Sequence, residues 1–159
     1  MNIYLIRHGD AEKSSIGKKD FDRDLTASGI TKLKTAVVNW KVLIDNFDYI
    51  ISSPLVRARH TASLIAEVYE FKKEIILDKK LSPGSKTESL IEIANSLSGE
   101  EIAFVGHQPD LSEHLSNMIS SKGAYLDFKK SAIAKISFYN KAHLGKGMLE
   151  FLIPANAYK

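Results

Sequence analysis

The chain has 159 residues, of which 44% are apolar and 26% charged, with a formal net charge of +3 and no cysteine. That length suits one compact domain over residues 1–159, and the composition excludes disorder, disulfides, thiolate catalysis and thiolate metal sites. No stretch has the basic leader of a secretory signal or the length of a membrane span, so a cytoplasmic protein with no membrane partner is expected. The 18 lysines are dispersed and do not alternate with aromatics as a nucleic-acid surface would, which argues against a nucleic-acid partner.

Residues 2–6, Asn-Ile-Tyr-Leu-Ile, form a short apolar run that reads as a buried strand opening into the polar loop Arg7-His8-Gly9-Asp10. Residues 13–24 are charged and aperiodic. Thr26 then has the place of an N-cap before Ile30, Leu33, Val37, Trp40 and Ile44, which recur at helical spacing. Tyr49-Ile50-Ile51 is a second strand, after which Ser53 is expected to cap a helix and Pro54 to take its first position. Leu55, Ala58, Ala62, Ile65 and Tyr69 give that helix an apolar face.

Glu74–Leu77 reads as a third strand, and Ser85-Lys86-Thr87-Glu88 has capping-box spacing before a helix carrying Leu90, Ile93, Ala94 and Leu97. Glu101–Val105 is a fourth strand, closed by Gly106-His107-Gln108-Pro109, and a helix with Leu111, Leu115, Met118 and Ile119 follows. Beyond it, 124–128, 132–139 and 148–153 read as strands separated by turn residues. Strand–helix alternation predicts a three-layer α/β/α sandwich with a mainly parallel, mixed sheet.

Ligands of such sheets bind beyond the carboxyl ends of the strands. Three loops leave that edge, 7–10, 52–57 and 106–109, and together they bring Arg7, His8, Arg57 and His107 to one rim. Two guanidiniums and two imidazoles gathered without carboxylates repel one another unless an anion joins them, and a dianionic phosphoryl group is the natural partner. A metal held by His8, Asp10 and His107 is the competing reading, which the two arginines oppose, so neither a metal nor another cofactor is expected. Arg59 points away from Arg57 on its helix and reads as a surface residue. His114 reads as structural, His143 as exposed and Trp40 as core.

Arg7-His8-Gly9, Leu25-Thr26 with Gly29, Ser53-Pro54 with Arg57 and Thr61-Ala62, and Gly106-His107 resemble the histidine phosphatase superfamily, the phosphoglycerate mutase-like proteins. Within it, Arg7-His8-Gly9-Asp10-Ala11 and Gly106-His107-Gln108-Pro109-Asp110-Leu111-Ser112 are similar to the small phosphohistidine phosphatases of the SixA type. The resemblance implies that His8 is the nucleophile and is phosphorylated during turnover. Arg7, Arg57 and His107 would bind the phosphoryl oxygens and stabilise charge as the group moves.

Relatives acting on alkyl phosphate esters place a carboxylic acid after the third strand, where this chain has Leu81-Ser82-Pro83-Gly84, with Glu88 some distance on. An imidazole leaving from phosphohistidine needs less help than an alkoxide, so the expected substrate is phosphohistidine on a partner protein, a phosphotransfer domain or phosphocarrier. Asp10, Glu12 and His60 stand as candidates for the pocket rim or for a proton donor. The alternatives are a small-molecule phosphomonoesterase of the same superfamily and a phosphate-binding module without catalysis.

Overall fold

The computed structural model describes residues 1–158. Six strands form one mixed sheet: β1 (Asn2–Arg7), β2 (Tyr49–Ser52), β3 (Ile76–Leu77), β4 (Glu101–Gly106), β5 (Ile133–Ser137) and β6 (Met148–Ile153). Their order is β3-β2-β4-β1-β5-β6. β1 runs parallel to β4, as do β2 to β4 and β3 to β2, whereas β5 is antiparallel to both β1 and β6. Four helices, α1 (Ala27–Trp40), α2 (Val56–Val68), α3 (Thr87–Ser96) and α4 (Asp110–Ile119), cover the two faces.

Strand alternation sorts the apolar residues into two cores. Ile3, Leu5, Ile51, Ile102 and Phe104 face α3 and α4, where they pack with Leu90, Ala94, Leu111, Leu115 and Met118. Tyr4, Ile6, Ile50, Ala103 and Val105 face α1 and α2, where Leu33, Val37, Trp40, Ala58, Ala62 and Ile65 meet them. Each fully buried Leu or Ile contributes about 1.5–3 kcal/mol by leaving water. β1 and β4 supply residues to both cores and are paired along both edges, so the strands that end in Arg7 and Gly106 lie at the centre of the sheet.

The expected three-layer α/β/α architecture is the one observed, with several local departures. Thr26 does cap α1, its hydroxyl accepting the Gly29 N–H at 3.0 Å, but the helix stops at Trp40 and Ile44 is buried from the turn beyond. α2 begins at Val56, with Leu55 rather than Ser53 at the cap and Pro54 in the preceding turn. β3 is only two residues long and exposed. No capping box forms at α3, whose cap residue is Lys86. Residues 124–128 are not a strand: β5 already occupies the free edge of β1, so this segment runs unpaired, anchored by buried Phe128 while Tyr125 is fully exposed. No helix among the described residues is long and apolar enough to cross a membrane.

Candidate active site

The parallel strands β1 and β4 end side by side, Arg7 opposite Gly106, and this places His8 and His107 together. Their rings lie 5.2 Å apart, centre to centre. The β2–α2 turn brings Ser53, whose hydroxyl is 2.8 Å from His107 Nε2, and the first turn of α2 brings Arg57. His8, Arg57 and His107 are all buried.

His8 Nδ1 lies 2.7 Å from the Gly9 carbonyl. A carbonyl only accepts, so Nδ1 carries the proton and the lone pair sits on Nε2. Burial pushes the His8 pKa down to about 3, opposed by the Gly9 carbonyl and reinforced by His107, Arg57 and Arg7. The net shift is downward, and the ring is neutral at physiological pH. Burial also lowers His107 to about 4, with Arg57 and Arg7 adding to the fall and Asp20 opposing it.

Arg7 donates from Nη1 to the Phe128 carbonyl at 2.8 Å, while its Nε is buried without a partner. His107 Nδ1 is likewise buried and unpartnered. Ser53 Oγ accepts the Leu55 N–H and has its own proton for His107 Nε2, an arrangement that leaves the His107 ring proton on Nδ1. Buried polar groups without a partner are costly, and an oxyanion at the ends of β1 and β4 would satisfy these two. Gly9 packs closely against its neighbours. Its N–H donates to Thr61 Oγ1, and a Cβ there would sit 3.2 Å from Leu25 Cδ2.

One side chain in the site escaped sequence reading. The cluster is not free of carboxylates: Asp20, from the aperiodic 13–24 segment, takes Arg57 Nη1 on its main-chain oxygen at 2.8 Å and Nη2 on its carboxylate at 3.1 Å. Arg23 holds the other carboxylate oxygen at 2.7 Å and is itself fixed to the Glu12 carbonyl. Asp20 thus aims the Arg57 guanidinium. The only hint in the sequence is a pair of aspartates flanking Phe21 before Arg23.

The remaining candidates lie around this centre. Asp10 pairs with Lys130, which holds its carboxyl below the usual range, and its backbone oxygen accepts the Thr26 N–H. Glu12 pairs with Lys18 and accepts the Asp24 N–H, which lower its pKa as well. Neither the hydrogen bond of His60 nor the depression it lines includes His8 or His107. It meets Asp24 at 2.7 Å and lines a separate depression with Arg59, Ser63 and Ile75. Among the described residues no three histidines or carboxylates converge as metal ligands, and Asp10 is committed to Lys130 rather than to the two histidines.

A sequence model of the histidine phosphatase superfamily (branch 1) matches residues 3–83, just over half of the chain. An uncharacterized protein of Picosynechococcus is 31% identical over 137 residues, covering 84% of this chain and 82% of that protein. The phosphohistidine phosphatase SixA homolog of Haemophilus influenzae is 25% identical over 147 residues, covering 86% and 87%. In fold, the chain is similar to the protein histidine phosphatase SixA solved with tungstate, with a TM-score of 0.86 over 99% of both chains at 19% identity. The sequence match and the shared architecture agree: the chain belongs to the histidine phosphatase superfamily, branch 1, and is a metal-independent phosphatase.

Proposed function

We propose that the protein hydrolyses phosphohistidine on a partner protein, with His8 as the nucleophile and Arg7, Arg57 and His107 as the phosphoryl-binding groups. The observation that carries the reading is the His8 ring itself, buried, neutral and locked by Gly9 into the tautomer that presents the Nε2 lone pair. Nε2 attacks phosphorus, and a new N–P bond forms as the substrate's N–P bond breaks. The departing ring, protonated beforehand on its other nitrogen, leaves with the electron pair as neutral imidazole. Arg7, Arg57 and the His107 Nδ1–H take the phosphoryl oxygens. Water then attacks phospho-His8, releasing orthophosphate and restoring the neutral ring.

The choice of phosphohistidine rests on the carboxylates. Lys130 holds Asp10 ionised, Lys18 holds Glu12, and Arg23 with Arg57 holds Asp20; Asp24 is raised by burial but lowered more by His60 and the Leu25 N–H. Asp110 is occupied by Gly84, Ser85 N–H and the Ser85 hydroxyl, tying down the loop where ester-cleaving relatives are expected to carry an acid. An alkoxide leaving group would find no proton here, whereas an imidazole brings its own.

The test is to incubate the protein with a histidine-phosphorylated phosphotransfer domain and with a panel of alkyl phosphates, following phosphate release and acid-labile label on the enzyme. Turnover of the phosphodomain with transient labelling of His8 is expected. High activity confined to one alkyl ester would replace this reading with that of a small-molecule phosphomonoesterase, and binding of phosphate without turnover of any substrate would make it a non-catalytic module.

A further inference from the structure

A cleft of about 440 Å³ opens beside Arg7, on the β5 side of the site, and does not include His8, Arg57 or His107. Arg7, Asp10, Lys32, Lys129, Lys130 and Ser131 line it. Its basic wall is built onto the catalytic strand. The Arg7 N–H donates to the Ala132 carbonyl at 3.1 Å, the Ser131 N–H to the His8 carbonyl at 3.2 Å, and the Arg7 side chain to the Phe128 carbonyl. Ser131, buried, holds a left-handed backbone at φ 56°, unusual for a non-glycine residue and needed for the chain to turn back onto His8. The backbone that carries Lys129 and Lys130 is therefore tied to the strand that bears His8, and Lys32 lines the same cleft from α1.

Four cations meet two carboxylates here. Lys130 is spent on Asp10, and Lys129 reaches Asp127 with both side chains well exposed, at 65% and 71%, a pairing worth little in water. Lys32 is exposed and makes no ion pair among the described residues. Ammonium groups on long flexible stems, set on two sides of an open cleft, do not chelate one small anion as a guanidinium fork would. They respond to an extended negative field and steer a large partner to the surface.

Resting on the reaction proposed for His8, we propose that this cleft is the docking surface for the substrate protein, which presents acidic side chains around its phosphohistidine. The partner's carboxylates engage Lys32 and Lys129 while its phosphorylated ring enters between Arg7 and Arg57.

The test compares wild type with the double variant Lys32→Glu/Lys129→Glu, neither residue being part of the phosphoryl-binding group. Two substrates are used: an acidic phosphotransfer domain phosphorylated on histidine, and phosphoramidate, which carries the same N–P bond without a protein. Docking predicts that the variant loses about tenfold or more in kcat/KM on the protein and stays within about twofold on phosphoramidate. The wild-type rate on the protein should also fall as KCl rises from about 0.05 to 0.15 M, and the variant's much less. The neutral variant Lys32→Gln/Lys129→Gln should lie between the two and guards against a folding defect.

An unchanged rate on the protein, or an equal loss on both substrates, overturns the docking surface. A loss confined to small phosphates bearing a second anionic group also overturns it, in favour of a small-molecule subsite. Failure of wild type to hydrolyse either substrate removes the phosphohistidine reaction and the docking proposal with it.

Discussion

His107 and His114 are both buried, both belong to the β4–α4 unit, and burial lowers the pKa of each, yet their surroundings differ in one respect. His114 is fully satisfied: Ser85 Oγ lies 2.9 Å from Nε2 and Thr87 Oγ1 2.9 Å from Nδ1, with Asn117 completing the Thr87 network. His107 has Ser53 on Nε2 and nothing on Nδ1. A buried histidine is thus not in itself a site. The site is where polar atoms at the sheet edge are left over, beside the guanidiniums of Arg7 and Arg57, whereas the His114 network ties Ser85 and Thr87 to α4.

The sharpest way to break this comparison is His8→Ala. Loss of the nucleophile should lower kcat by about 10⁴-fold or more and abolish the acid-labile label in a quenched reaction. Next, His107→Ala and Arg57→Ala should each cost roughly 10²–10³-fold in kcat, as removal of one charge-stabilising donor does, with little loss of stability. Asp20→Asn keeps the main-chain contact to Arg57 and removes only the carboxylate. It should cost about tenfold, read mainly in KM for substrate and in the inhibition constant for inorganic phosphate, and a thermal midpoint near wild type would separate positioning from misfolding.

At the small end, His114→Gln should leave kcat within about twofold while costing roughly 1–3 kcal/mol in denaturant unfolding, because Ser85 and Thr87 lose partners. Equal activity losses at His107 and His114 would erase the distinction.

The histidines also predict how stability depends on pH. Folded His8 and His107 have pKa values near 3 and 4, against an ordinary value of 6.5, so the unfolded chain binds more protons throughout that interval. Their contribution to stability is complete above pH 6.5 and is lost as pH falls towards 3. Urea unfolding at pH 7 and pH 4.5 should show the drop, and His107→Gln should flatten it.

Much of the molecule was legible in residue order. The alternation of Ile3 and Leu5 with Tyr4 and Ile6 marks a strand buried on two faces, and the helical stripes mark what covers it. Arg7, His8, Arg57 and His107 could be placed because each follows directly from a strand end or a helix start. Asp20 could not, because its contact with Arg57 bridges a long stretch of chain from a segment with no period. Ser85 was misread for the opposite reason. Its local spacing fits a capping box, but Asp110 and His114 in α4 claim its hydroxyl first. Segment 124–128 has the composition of a strand without an edge to pair with, and composition carries no information about vacant edges.

The place of β1 has a consequence for how the protein is born. Its two neighbours are residues 101–106 and 133–137, so this strand is synthesised well before either of its partners. At about 5–20 residues per second, translation keeps His8 waiting on the order of 10 s for β4, and longer for β5. Nascent chains ending before residue 101 can carry His8 and Arg57 and still possess no active centre. The arrangement of His8 beside His107 needs the β1–β4 pairing, a contact of high sequence separation.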